Sequence, residues 1–166
     1  MKEILLKMTE AAKMNLVKDG HLAPAIMWLK DGALIGDPQT LTDFKCPTPD
    51  ENKDRNILMA GVMAKFLQAD TVLFVWDAAM RSVNPEDPYD ATESPLTYPE
   101  SMRTECIVIE AVKIPSGKEE IMITPYKGGN GKPVEFLPVP ESNQMDNYES
   151  RIGKIVLHGY NTPFSV

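Results

Sequence analysis

Thr71-Val72-Leu73-Phe74-Val75-Trp76 is an unbroken run of β-branched and aromatic residues. A strand with one wet face alternates apolar and polar side chains, whereas a strand covered on both faces has no reason to. The run therefore predicts a central strand with protein above and below it. The rest of the chain has to supply its neighbours and its covers.

Neighbours are found on both sides. Downstream, residues 104–114 and 119–126 alternate in polarity and are joined through Ser116-Gly117, which predicts a hairpin. Upstream, Asp31-Gly32 separates Ile26-Met27-Trp28-Leu29 from Ala33-Leu34-Ile35, the strongest short hairpin signal in the chain. Pro24, just ahead, suits an edge or a strand start. Residues 36–49 are polar and Pro-marked, hence loop. Two helices come from periodicity. Leu5, Met8, Ala12 and Leu16 line one face of residues 2–18, and Asp19-Gly20 supplies the stop. Asp50 is placed to cap a second helix running to residue 68, with Ile57, Gly61, Ala64 and Leu67 on its buried face. Gly61 in that face predicts close contact with a sheet.

Two stretches resist this scheme. Residues 82–101 carry Pro85, Pro88, Pro95 and Pro99 among several carboxylates. That composition predicts a long acidic loop, and loops of such length are usually functional or mobile. Residues 127–150 read as irregular, with one short strand near 134–137, and residues 154–158 read as a last strand. Hairpins dominate, and only two helices are available as cover. The expectation is one α+β domain over residues 1–166. It has a mostly antiparallel sheet of about five or six strands with two helices packed on one face. Leu73, Val75, Ile107 and Ile109 belong to its core.

Composition narrows the function classes. A length of 166 residues suits one domain, and 43% apolar with 25% charged residues is the balance of a soluble globular chain. The net charge of −7, with basic residues scattered, speaks against nucleic acid and anionic membranes as partners, because those are bound by neutralising phosphates. No segment approaches the roughly 18 consecutive apolar residues of a membrane span. Residues 1–7 lack the apolar core of a secretory leader. Cys46 and Cys106 have no second Cys or His at metal-ligand spacing, which removes zinc-finger and CxxC readings. Two reduced thiols in a cytoplasmic protein is the simpler case.

Most constellations fail on detail. Lys127-Gly128-Gly129-Asn130-Gly131-Lys132-Pro133 invites a phosphate-loop reading, yet Pro133 follows the lysine and no helical pattern comes after, so a flexible turn is favoured. His21 and His158 have no carboxylate or second His at helical spacing and no nucleophile elbow. Asp87 and Asp90 lack the alternating ligands of a calcium loop. No metal and no nucleotide or other cofactor is expected. One set is more suggestive. Trp76, Asp77 and Arg81 leave the central strand, while Tyr98, Arg103 and Glu105 lead into the next. If those strands are neighbours, the ends of the loop bring Arg and carboxylates together, an arrangement suited to a polar ligand or to acid–base work. Arg–carboxylate pairs also pin long loops to sheets, and that structural role is the favoured reading.

At these residues the chain resembles a group of small α+β proteins of bacteria and phages to which no activity is assigned. The likeness rests on Val72 to Trp76-Asp77, the Pro-marked loop, and Pro99-Glu100-Ser101-Met102-Arg103-Thr104-Glu105 before a strand. It implies architecture and a bacterial or phage origin. Two functions follow as expectations. The first is a non-catalytic accessory or protein-interaction module, phage-encoded in keeping with the resemblance. It would bind a protein partner or a second copy of itself through loops on a rigid sheet. The alternative is a small hydrolase or ligand-binding enzyme using the carboxylate–Arg cluster.

Overall fold

The computed structural model describes residues 1–81, 103–138, 144–148 and 150–163. The chain runs α1 (Lys2–Asp19), β1 (Ala25–Lys30), β2 (Ala33–Thr40), α2 (Pro49–Leu67), β3 (Thr71–Arg81), β4 (Arg103–Lys113), β5 (Glu119–Gly129), β6 (Lys132–Phe136), β7 (Gln144–Tyr148) and α3 (Arg151–Asn161). One sheet takes the order β2-β1-β3-β4-β5-β6, with β7 also on β5. Every pairing is antiparallel. β6 and β7 divide the outer edge of β5, at residues 126–129 and 119–122. The loop expected at 82–101 lies outside the described residues.

β3 is central, as its composition requires. Its odd and even side chains feed two separate cores. Leu73 and Val75 join Ile107, Ile109 and Met122 beneath Leu5, Ala12 and Leu16 of α1. Val72, Phe74 and Trp76 join Val112 against Ile57, Ala60 and Ala64 of α2 and Val156 of α3. Each fully buried Leu, Ile or Phe contributes about 1.5–3 kcal/mol. The expected pair of helices on one face exists, but its members differ from those expected. α2 and α3 share one face, and α1 covers the other.

The third helix replaces the last strand expected at 154–158. Ile155-Val156 favours strand by local preference, and packing overrides it. The Ser150 hydroxyl caps α3 by accepting from the Ile152 N–H at 2.9 Å. Gly153, Val156 and Gly159 then form one buried ridge. A Cβ on Gly159 would lie 2.1 Å from the Leu58 carbonyl oxygen, and one on Gly61 would lie 2.0 Å from that of Val156. Gly61 therefore permits contact with a helix rather than with the sheet. At the other end of α2 the cap is Thr48, which accepts from the Glu51 N–H at 3.2 Å, with Pro49 as the first helical residue. Asp50 falls in the first turn instead, where its charge suits the helix dipole. β2 also outlasts the expected loop start, running to Thr40.

Candidate functional site

β3 and β4 are neighbours over their whole length, and that settles where the loop-end residues fall. β3 continues beyond Trp76 to Arg81, so Asp77 pairs with Ile107, Ala79 with Glu105, and Arg81 with Arg103. At ~3.3 Å per residue, Asp77 and Arg103 are about 13 Å apart along the strands. Trp76 belongs to the α2–α3 face. Asp77, by alternation, belongs to the α1 face with Leu73 and Val75. Tyr98 lies outside the described residues.

Asp77 meets a partner the sequence did not suggest. The Tyr126 O–H donates to Asp77 Oδ1 at 2.8 Å, tying β3 to β5 across β4. Tyr126 packs edge-on against Phe136, and Lys13 of α1 lies 5.3 Å from the Phe136 ring centre. Burial raises the Asp77 carboxyl above its ordinary range, opposed by the Tyr126 O–H and the Ala78 N–H. Burial also pushes the Cys106 thiol up to about 12, with Asp77 and Glu105 adding to the effect. Its S–H donates to the Ala78 carbonyl at 3.3 Å. Tyr126 is raised as well, through burial first and Asp77 second. Cys106 and Tyr126 thus hold their protons at neutral pH. Neither is an activated nucleophile.

A second polar group lies on the α2–α3 face, where sequence reasoning placed none. Glu119 is fully buried and caps α3 from β5. Its carboxylate accepts from the Ser150 N–H and hydroxyl and, at 3.2 Å, from the Gly153 N–H. Beside it is Glu110, 3% exposed. Burial, then the adjacent Glu119, drive the Glu110 carboxyl well above the usual range, while Lys53 and the Trp76 indole work the other way. Lys53 rests 4.7 Å from the Trp76 ring centre, and Phe74 stacks on that indole at 5.1 Å. Among the described residues, the buried Trp76 Nε1 and Glu110 Oε1 make no hydrogen bond of ordinary geometry beyond the weak one that the indole N–H offers the Glu110 carboxyl. Both residues line a cleft of about 460 Å³, together with Asn52, Asp77, Ile152 and others. A signal was present in the sequence. Glu110 interrupts the apolar run 106–112, in which every residue but Val108 is buried.

A larger groove, about 570 Å³, separates the β1–β2 hairpin from α2. Ile26, Trp28, Ile35, Met59, Met63 and Leu67 supply most of its apolar lining. Its far wall is preformed. Asn56 accepts from the Thr42 N–H and donates to the Thr42 carbonyl, each at 2.8 Å, and Asn52 accepts from the Phe44 N–H at 2.7 Å. No helix among the described residues is long and apolar enough to cross a membrane. Comparison of the chain with protein-family models, with curated proteins and with solved structures finds no match.

Proposed function

We propose that the protein is a non-catalytic interaction module that receives apolar side chains of a protein partner in the groove between the β1–β2 hairpin and α2. The observation that carries this reading is the exposure of Met59 (42%) and Met63 (37%) along that preformed groove. Methionine is flexible and polarisable, and it recurs at surfaces that accept apolar partners. Strand addition is the less suitable mode. β2 is exposed along nearly all its length, yet Asp37 and Pro38 interrupt the donors and charge-neutral surface that a pairing strand would need. A side-chain or helix insertion fits better. The partner is a different protein or a second copy of the chain.

The test uses Met59→Asp with Met63→Asp, two exposed positions whose exchange leaves both cores intact. Wild-type protein is expected to retain a partner, or to self-associate in light scattering, and the double variant to weaken that association about tenfold or more. Identical partners and identical oligomeric state for both forms would remove the groove from consideration.

A further inference from the structure

Taking the groove beside α2 as the docking surface described above, we propose that its occupant is an amphipathic helix of a different protein, with a basic flank that faces Asp37. The sheet leaves room for it. Helices pack about 8–10 Å apart and strands about 4.8 Å apart, so one helix covers roughly two strands. On this face α3 rests on β4, and α2 rests on β3 and β1. β2 comes next in the sheet, and every residue of it but Ile35 is exposed. α2 supplies the matching flank. Its groove-lining residues Asn56, Met59, Ala60, Met63 and Leu67 recur at i, i+3, i+4, i+7 and i+11, the stripe that one helix offers another. Asn56, Met59, Ala60 and Met63 outline a four-residue hole of the kind that receives a knob from a facing helix, with the small Ala60 as its base. From Asn56 to Leu67 the stripe runs about 17 Å, or about three helical turns. The other flank of α2 is already used in this way by α3, where Gly61 meets Val156.

The chemistry of the lining selects the partner. Its main polar groups are already paired: Trp28 Nε1–H donates to the Ala60 carbonyl at 2.9 Å, and the Asn56 amide is held by Thr42. The groove therefore favours apolar side chains over a ligand recognised by hydrogen bonds. Asp37 is the exception. It is the one charged residue among the described lining, it is exposed, and among the described residues it takes part in no ion pair. A lysine or arginine on the flank of the helix that overlies β2 would complement it and fix the orientation of the partner. A second copy of the chain suits the groove less well. The exposed apolar residues of α1 are Leu6, Met14 and Val17, and Glu10 lies among them at helical spacing, so α1 would carry a carboxylate into a groove whose own charge is negative. Its insertion would also be a head-to-tail contact, which propagates rather than closes. α2 of a second copy is already seated on its own sheet and would leave the floor of the groove uncovered.

The probe is a fluorescein-labelled peptide of about 15 residues, with leucine on one helical face and lysine on its flanks, titrated with the full chain at about 0.15 M salt. Two peptides of the same length serve as controls: one with glutamate in place of lysine, and a shuffled form of the lysine peptide without an apolar face. The expected result is a saturable rise in anisotropy for the lysine peptide, with a gain of helix in circular dichroism. The glutamate and shuffled peptides should bind about tenfold more weakly or worse. Asp37→Lys should reverse the order of the lysine and glutamate peptides, an outcome that the overall charge, still negative after that exchange, does not produce. Met59→Asp with Met63→Asp should weaken both. No saturable binding of the lysine peptide, equal binding of its shuffled form, or an unchanged order with Asp37→Lys overturns the proposal. If the methionine pair then still weakens the association of the protein, the groove stands as the interface and only the basic helix is removed. If the methionine pair changes nothing, the groove falls as well.

Discussion

Replacing Gly61 by alanine adds one methyl group where two helices cross. That carbon would lie 2.0 Å from the Val156 carbonyl oxygen, against 3.4 Å or more for an ordinary contact, so α3 must retreat by more than an ångström. It has little freedom to do so. Val156 is fully buried against the sheet, and Glu119 grips the first turn of α3. Forced insertion into a filled contact costs about 1–3 kcal/mol, and the upper part of that range applies because backbone meets backbone with no flexible side chain to yield. Alanine's helix preference returns about 1 kcal/mol. The net loss is therefore about 2 kcal/mol, a fall in Tm of roughly 4–8 °C for a chain of this size. Urea unfolding followed by circular dichroism should show a lower midpoint with an unchanged slope. Gly159→Ala meets the Leu58 carbonyl oxygen at 2.1 Å in the same crossing. The double variant should then lose less than the two single losses combined, since the first methyl already separates the helices. A Gly61→Ala protein as stable as the wild type, or more stable, would refute backbone contact between α2 and α3.

Glu110→Gln should flatten the pH dependence of stability. With a folded pKa raised above the ordinary 4.5, the Glu110 contribution is complete below pH 4.5 and is lost as pH rises into the alkaline range, so the variant gains on the wild type through that window in melts taken at successive pH values. Glu110→Leu should raise stability at neutral pH by about 1 kcal/mol or more, as measured by urea midpoint, because it removes a buried carboxyl set beside a second one, Glu119. In native protein at pH 8, a thiol reagent should titrate Cys46 alone, and Cys106, with no exposed surface, should react only after denaturation. Thr48→Ala removes the α2 cap and should cost about 1 kcal/mol, again read from the urea midpoint.

The sheet and two of the helices were legible because their signals are local. The run 71–76 fixed the central strand, Asp31-Gly32 fixed the hairpin with Asp31 and Gly32 both at positive φ, and helical spacing fixed α1. What escaped depended on contacts between distant segments. Residues 154–158 look like a strand until Gly61 and Gly159, nearly a hundred positions apart in the chain, are seen to let α3 lie against α2. β3 looked finished at Trp76 because a charge follows. Asp77 is nonetheless a strand residue, stabilised by the Tyr126 hydroxyl from β5. The placement of α1 could have been anticipated. A strand apolar on both faces needs a cover on each, and two helices on one face leave Leu73 and Val75 without one.

The same logic separates the two buried carboxyls on the α2–α3 face. Glu119 accounts for its own burial: its oxygens satisfy the Ser150 and Gly153 donors at the start of α3, where a helix exposes unpaired N–H groups and favours negative charge. Glu110 has no such task. It adds an acidic group beside one that is already needed, in a core where Phe74, Val112 and Val156 pack without polar help. A leucine there would fill the space without the electrostatic penalty. Chains that fold by consistent local choices depart from them mainly where function asks for it. Asp77 is held by Tyr126 and Glu119 by α3, so each is explained by the fold. Glu110, set beside the Trp76 indole in the wall of the cleft, is not.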